Sequence, residues 1–197
     1  MNIEKGSTDE KIVKATFNLL QRGGYQKATT KKIADEAGVN EVTIFRKFKN
    51  KKNLIEVTKE YYVTILIERL NAIMEYNEDD TVEDYMDKIY LNLVNLSEES
   101  INIIKVGMEE VRDVPERKLL ILRIINSALD NLEGFFDLKV ERGEIRKNIN
   151  TKMLAITCFG VIFQSVILWD LYHSDLPIEN KEYHEAFFDI LDKGIKP

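Results

Sequence analysis

Thr29-Thr30-Lys31-Lys32 puts two hydroxyls and two ammonium groups in four consecutive positions. At the start of a helix, unsatisfied backbone N–H groups join them, and the set becomes a seat for a phosphate-like anion. Lys51 and Lys52 supply the charge for a second seat. Between the two seats, Asn40, Glu41, Val42, Thr43, Phe45, Arg46 and Lys47 carry the side-chain types that read base edges. Asn, Thr and Arg donate or accept in the major groove, and an apolar side chain meets a thymine methyl. Glu41 can accept from a cytosine amino group or complement the positive end of its own helix.

Catalysis is poorly provided for. Two histidines, His173 and His184, and one cysteine, Cys158, are the whole stock of those types, and there is no glycine-rich phosphate loop. A carboxylate-bridged dimetal bundle needs two Glu-x-x-His pairs. Here His173 follows Asp170 by three positions, and His184 follows Lys181. The run from Glu78 to Asp84 has the charge of a calcium loop without its glycine or ligand spacing, and reads as a helix start with carboxylates near the dipole. The expectation is no enzyme, no catalytic residue, no metal and no cofactor. Cys158 lies in an apolar segment and reads as a buried, inert thiol.

Helices must position these residues. The 197 residues are 44% hydrophobic and 31% charged with 9 Gly and 3 Pro, and apolar residues recur at three and four positions without strand alternation. Ser7 and Glu10 offer a capping box for a first helix, with Ile12, Thr16, Leu19 and Leu20 inward and Gly23-Gly24 as its stop. A second helix fits 29 to 37, capped by Thr29 or Thr30 and ended by Gly38. Asn40 caps a third that runs to Phe48, with Ile44 and Phe48 inward. Three helices with a glycine turn before the last form a helix-turn-helix arrangement. A long helix over 51–74 follows, then helices near 81–97, 100–112, 116–142, 150–172 and 180–193.

Charge divides the chain in the same place. Residues 1–54 carry 12 Lys+Arg against 6 Asp+Glu, whereas residues 55–197 carry 16 against 28. A basic head on an acidic body suits a head that meets a polyanion and a body that stays away from it.

The segment Thr29 to Phe48, continued by Lys49-Asn50-Lys51-Lys52-Asn53-Leu54-Ile55, resembles the TetR family of transcriptional regulators. The resemblance covers the first 55 to 60 positions as a motif and the remainder as a match of size and helical layout. It implies an all-α subunit, with an N-terminal three-helix helix-turn-helix DNA-binding domain at 1–54 and a C-terminal helical bundle at 55–197 for ligand binding and dimerisation. The implied DNA contacts are Thr29, Thr30, Lys31, Lys32, Asn40, Glu41, Val42, Thr43, Phe45, Arg46, Lys47, Lys51 and Lys52. Two positions depart from the pattern. Phe45 lacks the phosphate-binding hydroxyl of the family's usual tyrosine, and Val42 replaces a common glycine.

A helix-turn-helix monomer offers few base contacts, and two heads set about 34–36 Å apart match successive major grooves, so a homodimer on a palindromic operator is expected. The family pairs subunits through the last two helices. Ile162, Val166 and Trp169, with Phe187, Phe188 and Leu191, are the apolar candidates. Family members commonly bind a small effector in the body. For an apolar or amphipathic one, Tyr62, Tyr90, Met108, Phe135, Phe136, Phe159 and Phe163 are candidate walls. Met153 to Trp169 is free of charge over 17 residues, close to the lower limit of a membrane span, yet its polar residues and tight charged flanks fit a helix buried on several sides. No membrane partner is expected. A lone cysteine and the absence of a cationic, apolar start point to the cytoplasm. The alternative is a helical interaction protein that binds protein or nucleic acid without operator specificity.

Overall fold

The computed structural model describes residues 3–109, 120–172 and 180–197. Among them run nine helices: α1 (Thr8–Lys27), α2 (Thr30–Ala37), α3 (Glu41–Phe48), α4 (Lys51–Met74), α5 (Val82–Val94), α6 (Glu98–Glu109), α7 (Leu120–Glu141), α8 (Thr151–Tyr172) and α9 (Asn180–Ile195). They group into two compact units, Met1–Ile67 with Glu98–Ile124, and Glu68–Ser97 with Ile125–Pro197.

Side-chain caps define the first unit. Ser7 Oγ accepts from Glu10 N at 3.1 Å, Thr29 Oγ1 from Lys32 N at 3.3 Å, Asn40 Oδ1 from Val42 N at 2.8 Å and Asn50 Oδ1 from Asn53 N at 2.8 Å. Each satisfies one of the orphan donors of a first helical turn. The capping box is displaced by one residue, because the Glu10 carboxylate receives the N–H of Gly6 instead of that of Ser7. Burial and the Lys14 ammonium both act on that carboxyl, and the Lys14 contact, together with Gly6, holds its pKa below the ordinary value. Gly24 breaks α1 where the sequence places the stop, with φ 64° and ψ −173°, and one further turn reaches Lys27. That backbone region is accessible to glycine alone.

α1 packs on α2, α2 on α3, and α1 on α6. Ile12, Val13 and Phe17 from α1, Ile33 from α2, Ile44 and Phe48 from α3, and Leu54, Tyr62 and Leu66 from α4 are buried. Phe17 and Tyr62 stack with ring centroids 3.8 Å apart.

The second unit gathers the end of α4, α5, most of α7, α8 and α9. Tyr85, Phe135 and Phe136 lie at its centre, and the Tyr85 hydroxyl donates to the Met74 carbonyl at 2.7 Å. The acidic turn before α5 is pinned from α7. Buried Lys139 donates to the Glu78 carbonyl at 3.0 Å and pairs with Glu144 at 3.1 Å, while Arg142 pairs with Glu78 at 2.6 Å. Thr81 then caps α5, with Glu83 and Asp84 in its first turn. α5 stops at Val94, short of the expected 97, because the Asn95 side chain captures the Leu91 carbonyl at 2.7 Å. α8 buries Leu154, Ala155, Cys158, Phe159 and Ile162 and exposes Lys152, Met153, Ile156, Thr157 and Gln164, and no helix among the described residues is long and apolar enough to cross a membrane. Cys158 is buried there, which pushes its thiol pKa up to about 12.

Candidate nucleic-acid interface

α2 ends at Gly38, whose φ of 65° and ψ of 36° turn the chain left-handed, and Val39 N closes the turn on the Ala34 carbonyl at 3.0 Å. This is a glycine-terminated helix end in its usual form. Two residues later Asn40 opens α3. Glu36 ties α2 back to α1 through Asn18 at 3.2 Å and Arg22 at 3.4 Å.

The two faces of α3 differ sharply. Ile44 and Phe48 are fully buried, which fixes the opposite side outward. There Val42 is 70% exposed and Phe45 46%, with Arg46 exposed beside them. Positions 42, 45 and 46 follow the three- and four-residue spacing of a single helix face. Thr43 and Glu41 are half-buried and Asn40 is exposed. With its Oδ1 used as the cap, Asn40 keeps its Nδ2 donors for another partner. A solvent-facing Val–Phe pair next to an arginine suits apolar contact with thymine methyls and bidentate contact with guanine.

The flanking seats are unequal. At the start of α2, Thr29, Lys31 and Lys32 are exposed and Thr30 is half-buried. Of the two lysines at the start of α4, only Lys52 is exposed. Lys51 Nζ donates to the Tyr25 carbonyl at 2.7 Å and lies 4.2 Å from the centre of the Tyr25 ring, and burial lowers its pKa. Lys47 is also engaged, its Nζ 2.6 Å from Asp9 Oδ1.

Sequence reading missed Lys49. It is exposed between α3 and α4 with φ 67° and ψ −50°, and Asn50 N bonds the Phe48 carbonyl across it at 2.8 Å. That is a tight γ-turn of the strained, positive-φ kind. Its only sequence signal is a lysine in the junction between two helices.

The body candidates fall in both units. Tyr62 belongs to the first, stacked on Phe17. Tyr90, Phe135, Phe136 and Phe159 are buried in the second, where Phe159 and half-buried Phe163 stack at 5.4 Å. The side chains of Met108, Val166 and Trp169, and residue His173, lie outside the described set. Two cavities of the second unit have other walls. One, of about 360 Å³, is lined by Val82, Glu83, Phe188 and Leu191 among others, and a second, of about 380 Å³, by Asn71, Glu75, Tyr76 and Asn131. Of the interface candidates, Ile162 and Leu191 are buried within the subunit, and Phe187 and Phe188 are half-buried with ring centroids 5.3 Å apart. Among the described residues of α8 and α9, the apolar side chains of Met153, Ile156 and Ile190 face outward, as do those of Leu91 and Val94 on α5 and Leu122 on α7.

A small helical head that presents one short helix flanked by exposed lysines is the arrangement of a helix-turn-helix DNA-binding protein. Residues 12–58 match the model of the bacterial regulatory proteins of the tetR family. The chain is 32% identical over 198 residues to the nucleoid occlusion factor SlmA of Vibrio vulnificus (strain YJ016), covering 98% of each. It is 27% identical over 164 residues to the fatty acid metabolism regulator protein of Bacillus subtilis (strain 168), covering 80% of this chain and 81% of the relative. In fold it is similar to the Bacillus subtilis transcriptional regulator FadR in complex with stearoyl-CoA, with a TM-score of 0.62, 21% identity, and 94% and 98% of the two chains covered. The chain belongs to the tetR family of DNA-binding transcriptional regulators, a family of non-enzymatic proteins.

Proposed function

We propose that the chain is a repressor that binds a palindromic operator as a homodimer and is released by a small apolar or amphipathic effector. The observation that carries this reading is the outward face of α3, where Val42 and Phe45 stand in solvent beside Arg46 although the opposite face is fully buried. An exposed aliphatic–aromatic pair on one face of a short helix, flanked by cations, suits an anionic partner that also offers apolar groups. In this reading Thr29, Thr30, Lys31, Lys32 and Lys52 seat phosphates, while Asn40, Glu41, Val42, Thr43, Phe45 and Arg46 face the bases. Residues 1–54 act as the head and 55–197 as the body. A cytoplasmic location follows from a chromosomal target.

Pairing of subunits is supported by α8, whose apolar surface extends beyond what the subunit covers: Met153 is 55% exposed and Ile190, on α9, 71%. For the effector, the relative named for fatty acid metabolism and the FadR complex with stearoyl-CoA favour an amphipath with an acyl chain. Its release of DNA is a linkage effect. A ligand that prefers a body geometry with misplaced heads lowers operator affinity by the factor that DNA lowers affinity for the ligand.

The test is fluorescence anisotropy of the full chain on the DNA flanking its own gene and on a scrambled duplex of equal length, at near-physiological salt. A preference of about a thousandfold or more is expected of a specific binder. Stearoyl-CoA at saturating concentration should reduce it at least tenfold. Equal weak binding to both duplexes refutes an operator at that locus, and a preference untouched by stearoyl-CoA refutes the acyl effector. The nucleoid occlusion relatives favour a second reading, in which the DNA-bound chain acts without controlling a promoter. A reporter driven by the bound fragment separates the two, since only a repressor lowers its output.

A further inference from the structure

The cations around α3 divide by what already holds them. Arg46, Lys49 and Lys52 are exposed, whereas Lys47 is drawn inward to Asp9, the two side chains being 29% and 18% exposed. Asp9 lies in the first turn of α1 and Lys47 in the last turn of α3. Each charge therefore complements the dipole of its own helix, and the pair joins those helices directly.

This tie acts where α3 is least constrained. The helix has only two turns, and its buried contacts, Ile44 and Phe48, lie four positions apart on one side. Apolar packing along one stripe resists separation more than it resists roll about the helix axis. Lys47 leaves α3 about 100° around the axis from Phe48, so its ion pair, a charge contact and not an aligned hydrogen bond, opposes roll. A roll of about 10° carries a side-chain tip at a radius of about 5–6 Å through about 1 Å. That distance is enough to spoil the hydrogen bonds by which Arg46 or Asn40 would read a base.

We propose that Lys47 is a positioning residue: paired with Asp9, it sets the roll of the recognition helix and hence its sequence discrimination, instead of contacting phosphate. The proposal rests on the DNA-binding reading above. It makes Asp9, a carboxylate in a head that meets a polyanion, a residue that improves recognition. A phosphate role for Lys47 requires the opposite, because removing Asp9 would then free a cation and delete a repulsive charge.

The experiment uses the full chain, a 30-bp duplex selected from a random pool by the wild type, and a scrambled duplex of the same composition. Asp9→Asn and Lys47→Met are each expected to lower the ratio of the two affinities about tenfold, the size of one misread base pair. Lys47→Arg, which keeps the pair, should retain the ratio within about threefold, and melting curves check that every variant folds. The dependence of scrambled-duplex affinity on salt should be unchanged in Lys47→Met. The strut is overturned if Asp9→Asn tightens both duplexes and leaves the ratio intact, or if Lys47→Met flattens the salt dependence by about 0.9 per head. A wild type that selects no duplex overturns the DNA-binding reading, and the strut with it.

Discussion

Lys51→Ala and Lys52→Ala delete neighbouring ammonium groups at the start of α4, yet they should have different outcomes. Lys52 is exposed, while Lys51 Nζ is 2.7 Å from the Tyr25 carbonyl and 4.2 Å from the centre of its ring. A cation that neutralises a phosphate releases condensed counterions, and contributes about 0.9 to the slope of log affinity against log salt. A homodimer carries each lysine twice, so Lys52→Ala should flatten the slope by about 1.8, which is roughly a tenfold smaller affinity loss between about 50 and 200 mM salt. Lys31→Ala and Lys32→Ala should do the same. Lys51→Ala should leave the slope alone. It loses a charge-assisted hydrogen bond and a cation–π contact, which together are worth about 1–2 kcal/mol at a half-buried site, so its signature is a lowered melting temperature. Titration of any labelled duplex at four salt concentrations suffices, because phosphate contacts carry no sequence information. Equal flattening by both substitutions would refute the assignment of Lys51 to the fold.

Four other outcomes follow from single positions. Gly38→Ala meets no atom within 4 Å and pays only for its φ of +65°, so chemical denaturation should find about 1–2 kcal/mol of lost stability with the helical content kept. The Cys158 thiol, pushed up to about 12 by burial, should resist a thiol reagent at pH 8 in the native chain and react at once in denaturant; rapid native labelling would contradict its burial. Glu10 has a folded pKa below its ordinary 4.5, so it stabilises α1 above that value and the contribution is lost as pH falls through the folded pKa; Glu10→Gln should remove that part of the acid sensitivity of the urea midpoint. Ile190→Glu puts a charge on an apolar surface that a symmetric dimer counts twice, and sedimentation should find the dissociation constant raised at least a hundredfold, whereas an unchanged dimer would move the interface off α9.

The head was legible because its signals are local. Caps act within three residues, and Thr29, Asn40 and Gly38 announce the ends of α2 and α3 in the order observed. The inward positions Ile44 and Phe48 follow from helical spacing alone. What escaped depends on distant partners. Lys51 and Tyr25 are 26 residues apart, and Lys47 and Asp9 still further, so the lysines in and after the last turn of α3 read as one uniform patch until the fold assigns two of them inward. The γ-turn at Lys49 escaped for another reason, since a positive φ at lysine is strain imposed by the helices on either side and is not a preference of the residue.

In the body, the difficulty lies in α8 itself. Faces are read from contrast between apolar and polar positions, and α8 offers little, since Met153 and Ile156 share its exposed side with Thr157 and Gln164. Ile162 and Met153 are equivalent in that reading, although one is buried in the subunit and the other faces outward. The same loss of contrast affects the aromatic candidates. Phe135 and Phe136 are fully buried in a core where Tyr85 lies 4.1 Å from Phe135, ring centre to ring centre, and neither lines either of the two cavities of this unit. An effector that uses those residues must therefore separate them on binding. It would draw its specificity from the cost of opening the core, which makes the affinity of the body for ligand and its resistance to unfolding two readings of one packing energy.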